Sequence, residues 1–164
     1  MFVSRNIGMK HFLILALLVF SFSCGKSSGG DGLERSVDAL SANQYFEAMN
    51  NHRVSLGLRP LTYSVVIEEQ AGEHATNMAR GLTPFGHFGM SFRCNNIQVS
   101  LGSSACGEIV AKGQETAGSV LSSWLSSSSH KAEIENPNWT HTGIAVEKSF
   151  MGTPYWTQIF IRID

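Results

Sequence analysis

The chain has 164 residues, of which 43% are hydrophobic and 15% charged, and its formal net charge is −1 at pH 7. This length suffices for one domain with its own core, and the apolar content excludes a chain that is disordered throughout. Because no basic excess is present to neutralise phosphates, the composition predicts no nucleic-acid partner. The cysteine count of three is odd, so intramolecular disulfides alone do not account for it.

The N-terminal segment has the features of an export signal. An apolar run of 11 residues, Phe12 to Phe22, follows Arg5 and Lys10. A membrane-spanning helix needs about 20 apolar residues, so this run is too short. A basic start before a short apolar stretch is typical of a secretory signal peptide. Met9 is an alternative start, because a complete signal follows it.

The end of that signal resembles a relaxed bacterial lipoprotein box, Ser21-Phe22-Ser23-Cys24. In such proteins the signal is removed before the cysteine, whose thiol then carries lipid. The resemblance implies a signal peptide over 1–23, and a lipidated Cys24 with a flexible tether over 24–40. The membrane is then a partner, and the protein lies in the cell envelope, periplasmic or surface-facing. The alternative is an ordinary secreted protein with a cysteine near its cleavage site.

The folded domain is predicted to span 41–164, with helices in its first part. Capping residues predict helix starts at Ser41, Ser64 and Thr116, and glycines predict the first two ends at Gly57 and Gly81. A further short turn runs through His130 to Ile134. The apolar face of the second helix is predicted to contain five residues: Ile67, Ala71, His74, Ala75 and Met78.

Strand signals concentrate in the second half of the chain. Residues 142–146 and 155–163 are rich in β-branched and aromatic side chains, and turn formers separate them. An antiparallel pair is therefore expected there, with 107–111 as another strand. Residues 82–104 show no clear period and are predicted to be long loops. Helices followed by strands favour an α+β fold with helices packed on an antiparallel sheet.

Three side chains are candidates for chemistry. His87 lies in a loop with glycines on both sides, and His130 follows a run of serines. Glu108 lies in an apolar stretch, where a carboxylate without a partner would be costly. Two imidazoles and one carboxylate form a ligand set that zinc uses in catalytic sites, although the spacing alone is weak evidence.

The remaining histidines of the folded part have simpler explanations. His52 is predicted to be solvated, His74 to be a core residue with one hydrogen bond, and His141 to end a loop.

Eight segments follow one another in an order that resembles the CAP superfamily of cysteine-rich secretory, antigen 5 and pathogenesis-related proteins, also called SCP-like. These segments are 49–53, 56–61, 71–79, 86–87, 106–108, 124–131, 136–146 and 155–160. They cover nearly all of residues 43–162, and the short bacterial branch of the family is the most similar. The resemblance implies an α-β-α sandwich with a central antiparallel sheet and a surface cleft.

In this family the cleft holds two histidines and two glutamates, which in some members bind zinc or another divalent cation. By resemblance, His87, Glu108 and His130 match three of the four positions. The fourth falls on Ser127, so the acid set is incomplete, and Glu133 and Glu135 are candidates to compensate. Two further residues are expected as neighbours of the cleft, namely His74 and Arg93.

The resemblance favours a binding module for a small hydrophobic ligand or an extracellular protein partner. Aromatic residues near the cleft, Phe85, Phe88, Phe92 and Trp124, are more often core than ligand contacts. The alternative is a metal-assisted hydrolase or protease, with the hydroxyls of residues 126–129 as nucleophile candidates. A third hypothesis is a structural or adhesion module with a vestigial cleft.

With Cys24 assigned to lipid, Cys94 and Cys106 remain in an exported, oxidising setting. We predict a disulfide between them, which closes a loop of 13 residues. On the chain-entropy model such a bond contributes about 3 kcal/mol. It would also hold Glu108, two residues beyond Cys106, in place.

Overall fold

The computed structural model describes the backbone of residues 29–164 and the side chains of residues 41–164. The predicted signal peptide, Cys24 and the first part of the predicted tether lie outside these residues. Within them, no helix is both long and apolar enough to cross a bilayer. The elements in chain order are α1 Gly29–Ser55, β1 Thr62–Tyr63, α2 Val65–Ala79, α3 Met90–Leu101, β2 Ala105–Lys112, α4 Ala117–Ser126, α5 Ser128–Ile134, β3 His141–Lys148 and β4 Pro154–Arg162.

The four strands form one sheet in the order β1-β3-β4-β2. The three long strands are antiparallel, with Ile159 of β4 opposite both Glu108 of β2 and Gly143 of β3. This arrangement confirms the predicted antiparallel sheet and its three strands. The two-residue β1 was not predicted, and it runs parallel to β3. Because β2 lies at the opposite edge, its outer side is open to helices and loops.

Helices cover both faces of the sheet, which confirms the expected α-β-α sandwich. Alternate residues of a strand point to opposite faces, so β4 supplies both cores. Trp156 and Phe160 pack with Tyr45 of α1 and Trp124 of α4 on one face. Ile159 and Ile161 pack with residues of α2 and α3 on the other.

The second helix shows how the sequence pattern becomes packing. Its buried residues are the five predicted for its apolar face. The helix lies directly on β3 at Gly143, where an added Cβ would collide with the backbone of Ile67 and Glu68. Any side chain at this position would therefore push α2 off the sheet.

The helix starts near the site agree with the capping signals. Thr116 precedes α4 and forms a reciprocal capping box with Ser119. Ser127 precedes α5, which carries His130. The start of the first helix was predicted wrongly, because α1 begins at Gly29 and continues through Ser41. A serine favours a helix start only weakly when alanine and leucine precede it.

One further expectation was wrong. The region expected to consist of loops contains α3, whose inward-facing residues are Arg93 and Ile97. A charged residue on the buried stripe hides the helical period. Arg53 of α1 is also fully buried. Its guanidinium donates to the carbonyls of residues 59, 134 and 136.

Candidate functional site

Glu108 is the centre of the site. It lies in β2 on the face that α2 and α3 cover, and its side chain is 1% exposed. Arg93 of α3 donates from Nε to Oε2 at 2.8 Å and from Nη2 to Oε1 at 2.8 Å. This is the two-pronged geometry in which guanidinium and carboxylate pair most strongly. The buried acid therefore has the partner that its apolar sequence context required.

The loop after α2 brings His87 to the same carboxylate. The His87 Nδ1 atom lies 3.0 Å from Glu108 Oε1, and the imidazole is 49% exposed. Arg93 Nη1 donates to the Phe88 carbonyl at 2.8 Å, which ties the loop to the ion pair. Gly89 has a φ of 77°, and an added Cβ there would lie only 3.3 Å from that Nη1 atom. A glycine at this position therefore lets the loop fold over the guanidinium.

The tautomer of His87 follows from its hydrogen-bond partner. The Glu108 carboxylate can only accept a hydrogen bond, so Nδ1 is assigned the proton that it donates. In the tautomer with this one proton, Nε2 is the acceptor nitrogen. Since the ring is half exposed, Nε2 is available to an arriving ligand.

His74 is buried beneath the loop and supports it through a hydrogen bond. Its Nε2 atom is 2.7 Å from the Gly86 carbonyl and 3.9 Å from Glu108 Oε1. Burial is the largest influence on the imidazole and lowers its pKa, and the charges of Arg93 and His87 lower it as well. The Gly86 carbonyl and Glu108 act in the opposite direction. A neutral His74 that donates to the loop carbonyl fits this balance, and it lies on the buried helix face as expected.

His130 lies in a groove beside the free edge of β2. The groove has a volume of about 400 Å³ and is lined by Phe85, Val110, Ala111, Lys112, Gln114, Ser123, Trp124 and His130. Burial lowers the pKa of His130, and the charge of His87 lowers it further. The imidazole packs against the edge of Trp124, with 6.5 Å between ring centroids. His130 thus belongs to the groove, while its electrostatic link is to His87.

None of the other acid positions faces Glu108. Ser127, at the fourth family position, has its hydroxyl 3.2 Å from that of Ser129. Glu133 accepts from the indole of Trp139 at 3.1 Å. Glu135 is 2.9 Å from the His52 ring, so His52 is partnered rather than simply solvated. The second carboxylate of the family is therefore not replaced from α5.

The expected metal set does not fit this geometry. Among the side chains that the structure describes, those of residues 41–164, no three His, Cys, Asp or Glu are grouped so as to hold a metal ion. The structure brings together His87 and Glu108, but His130 makes no ion pair with Glu108. Both Glu108 oxygens already accept from Arg93. A site at His87, Glu108 and His130 stays a prediction from sequence.

The aromatic residues near the cleft divide into two kinds. Trp124 is core, as expected, and its indole donates to the Val110 carbonyl at 3.2 Å. Three phenylalanines, in contrast, are exposed to between 51% and 66%: Phe85, Phe88 and Phe92.

Sequence reasoning missed Lys112 and Tyr155, which form a cation–π pair at the end of the groove. Only the strand register places them together.

The predicted disulfide is confirmed. Cys94 of α3 is bonded to Cys106 of β2, with 5.9 Å between their Cα atoms. Arg93 precedes the first cysteine, and Glu108 follows the second by two residues. The bond therefore clamps together the two elements that carry the buried ion pair.

Comparison with known proteins identifies the family of the chain. The model of the cysteine-rich secretory protein family, CAP, matches residues 46–160. The chain therefore belongs to the CAP family, as the order of its segments indicated.

Individual relatives are more distant. The uncharacterized protein YkwD of Bacillus subtilis is 33% identical over 121 residues, which cover 70% of this chain and 44% of that protein. An SCP-domain extracellular protein of Bacillus anthracis has a TM-score of 0.70 at 23% identity, over 82% of this chain and 44% of its own. An outer surface protein of Borrelia burgdorferi has a TM-score of 0.63 at 24% identity, over 73% and 90%. The chain thus spans less than half of the first two relatives.

Proposed function

We propose that the protein is an exported CAP-domain binding module whose groove captures a small ligand with an apolar body and an anionic head. The observation that carries this proposal is the composition of the groove. Phe85 supplies exposed apolar surface above the buried Val110 and Trp124, while Lys112 and His130 supply nitrogen donors. The combination of apolar surface and a few convergent polar groups is typical of small-molecule sites.

The size of the groove supports a small occupant. Its volume of about 400 Å³ lies within the usual range of ligand pockets, roughly 300–1,000 Å³. Lys112 is exposed and lies 5.1 Å from the centroid of the Tyr155 ring. This ring also contacts Phe85, with 6.3 Å between centroids. The ammonium group is thus held beside the aromatic wall, where it suits a carboxylate head.

Export is supported by the N-terminal sequence and by the disulfide, which forms in oxidising compartments. Two structural neighbours are titled an extracellular protein and an outer surface protein. We propose that Cys24 carries lipid and attaches the domain to a membrane of the cell envelope. Mass spectrometry of the mature chain tests this step. We expect a lipid-modified N-terminal Cys24, and an unmodified N-terminus at that residue contradicts the anchor.

Binding is tested with dansyl-undecanoic acid, a fluorescent probe with an apolar chain and a carboxylate. Ser123 is exposed on α4 and lines the groove, so Ser123→Trp fills the groove without disturbing the core. Ser122 is exposed on the same helix but does not line the groove. It provides the matched control, Ser122→Trp.

We expect Ser123→Trp to weaken probe affinity by about tenfold or more, which corresponds to about 1.4 kcal/mol. Ser122→Trp should bind like wild type. Equal affinity in all three chains, or no saturable binding in wild type, contradicts the proposed groove. Any lipid attached covalently to Cys24 is the same in all three, so it does not affect the comparison.

A second candidate function, hydrolysis, is favoured by one observation. The hydrogen bond from His87 Nδ1 to Glu108 Oε1 at 3.0 Å is the kind that orients an imidazole as a general base. The candidate serines are less well prepared, because Ser127 and Ser129 bond to each other. Incubation with envelope peptides tests this function. Product formation that is lost in His87→Ala and kept in Ser123→Trp supports it, and no product from wild type contradicts it.

A further inference from the structure

The carboxylate of Glu108 has a nearly complete set of partners before any ligand arrives. It accepts two hydrogen bonds from Arg93 at 2.8 Å and one from His87 at 3.0 Å. An ionised carboxylate offers about four acceptor positions, so three are already used. The side chains of Glu108 and Arg93 are 1% and 8% exposed. Water therefore screens the charges of Glu108 and Arg93 only weakly.

We propose that Arg93 is the resident cation of this site and replaces a divalent metal ion there. The guanidinium neutralises Glu108, fixes the carboxylate on which His87 is oriented, and occupies the space that a metal would need. The site then works without metal. This inference concerns the Glu108 site alone and does not depend on the proposed ligand of the groove.

Arg93 is held in place from several directions. Its Nη1 atom donates to the Phe88 carbonyl, and its backbone N–H donates to the Gly89 carbonyl. The next residue, Cys94, is bonded to β2 through the disulfide. A cation fixed in this way cannot swing aside without breaking the loop contacts. It is thus a built part of the site rather than a surface side chain that happens to lie near an acid.

Charge repulsion prevents the guanidinium of Arg93 and a divalent metal ion from occupying the site together. A divalent ion on Glu108 would lie beside the guanidinium in surroundings that screen charge weakly. Arg93 Nε and Nη2 each lie 2.8 Å from a Glu108 oxygen, so an ion on either oxygen would meet this positive charge.

The imidazoles around Glu108 indicate that Arg93 prevents metal binding at this site. Oε1 lies 3.0 Å from the His87 nitrogen and 3.9 Å from the His74 nitrogen. Without the guanidinium, Glu108 regains free acceptor positions, and loss of the protons on these two nitrogens would complete a two-histidine, one-carboxylate set of the kind that zinc accepts in other proteins. Removal of the arginine side chain should therefore create metal affinity at the site.

The test is equilibrium dialysis of the full chain against zinc, with metal analysis and a circular-dichroism check of folding. Arg93→Met removes the cation and keeps the apolar stem, while Arg93→Lys keeps a positive charge. We expect Arg93→Met to bind zinc about tenfold or more tightly than wild type, an effect of the size that neighbours of metal ligands produce. Arg93→Lys should bind like wild type, and adding Glu108→Gln to Arg93→Met should abolish the gain.

Three results overturn the proposal. The first is stoichiometric zinc on wild type that is lost in Glu108→Gln or His87→Ala. The second is a folded Arg93→Met chain that binds zinc no better than wild type. The third is a gain of zinc in Arg93→Lys. If Arg93→Met does not fold, wild type and Arg93→Lys decide the question, since weak binding that is unchanged by Glu108→Gln in both supports the resident cation.

Discussion

The protein contains two buried arginines whose surroundings differ in one respect. Arg53 is fully buried and donates only to backbone carbonyls, and its Nη2 atom is without a partner. Arg93 is nearly as buried, but it pairs with the carboxylate of Glu108 beside a half-exposed His87. Burial of a cation thus serves two purposes here. One arginine joins α1 to the end of α5, and the other arranges a site that opens to solvent.

The largest expected effect separates these two roles. Arg93→Met leaves the Glu108 carboxylate buried without its cation, which typically costs about 3–5 kcal/mol. Urea denaturation of wild type and variant measures this loss of unfolding free energy. Adding Glu108→Gln should recover much of it, because the uncompensated charge is then removed. A double variant as unstable as the sum of the two single changes contradicts a direct pair.

The disulfide near Arg93 comes next. Replacing Cys94 and Cys106 by serine removes the link that closes a 13-residue loop, at a cost of about 3 kcal/mol on the chain-entropy model. Denaturation with and without reductant checks this value. Reductant should lower the stability of wild type and leave the double-serine chain unchanged. If reductant affects neither chain, the bond is absent in the folded protein.

Arg53→Met should cost about 1–3 kcal/mol, because buried carbonyls lose their donors without leaving an unpaired charge. Those carbonyls belong to Arg59, Ile134 and Asn136, at the end of α1 and α5. The comparison predicts that Arg53→Met leaves zinc binding as in wild type, in contrast to Arg93→Met. Should Arg53→Met also gain zinc, the distinction between the two arginines fails.

The smallest expected effect is a pH dependence. The pKa of His74 is lowered from its ordinary value of 6.5, mainly by burial. The unfolded chain therefore takes up a proton before the folded chain does. This contribution to stability is fully present above about pH 6.5 and is lost as the pH falls towards the lower pKa of the folded state. The pKa of His130 is lowered in the same direction.

Thermal denaturation at about pH 7.5 and about pH 5.5, on either side of the unfolded pKa, measures this effect. We expect wild type to be less stable at the lower pH and His74→Gln to show a smaller difference. The glutamine amide can still donate to the Gly86 carbonyl, so the comparison isolates titration. Identical differences in wild type and His74→Gln contradict the assignment of a neutral buried imidazole.

Much of the fold could be predicted from the sequence where local signals and packing agree. The buried face of α2 follows the 3.6-residue period, and the residues predicted as helix starts at Ser64 and Thr116 precede real helices. The α3 helix was missed because its buried stripe begins with Arg93. The start of α1 was missed because a single capping serine was given more weight than the helix-forming residues before it.

The site shows the same limit. The cost of a buried carboxylate predicted that Glu108 needs a partner, and Arg93 was expected near the cleft. That these two residues form the pair depends on how α3 packs on β2, which no local pattern encodes. The groove at the edge of β2 depends likewise on strand register, because Lys112 lies opposite Tyr155 only in the folded sheet.

The proposed binding function depends most on whether the groove holds a ligand. Mass spectrometry of organic extracts from wild type, Ser122→Trp and Ser123→Trp, all purified in the same way, tests this directly. We predict a non-covalent amphiphile in the first two extracts and its depletion from the third, because only Ser123→Trp fills the groove. Extracts that are the same for all three chains contradict a ligand at this position.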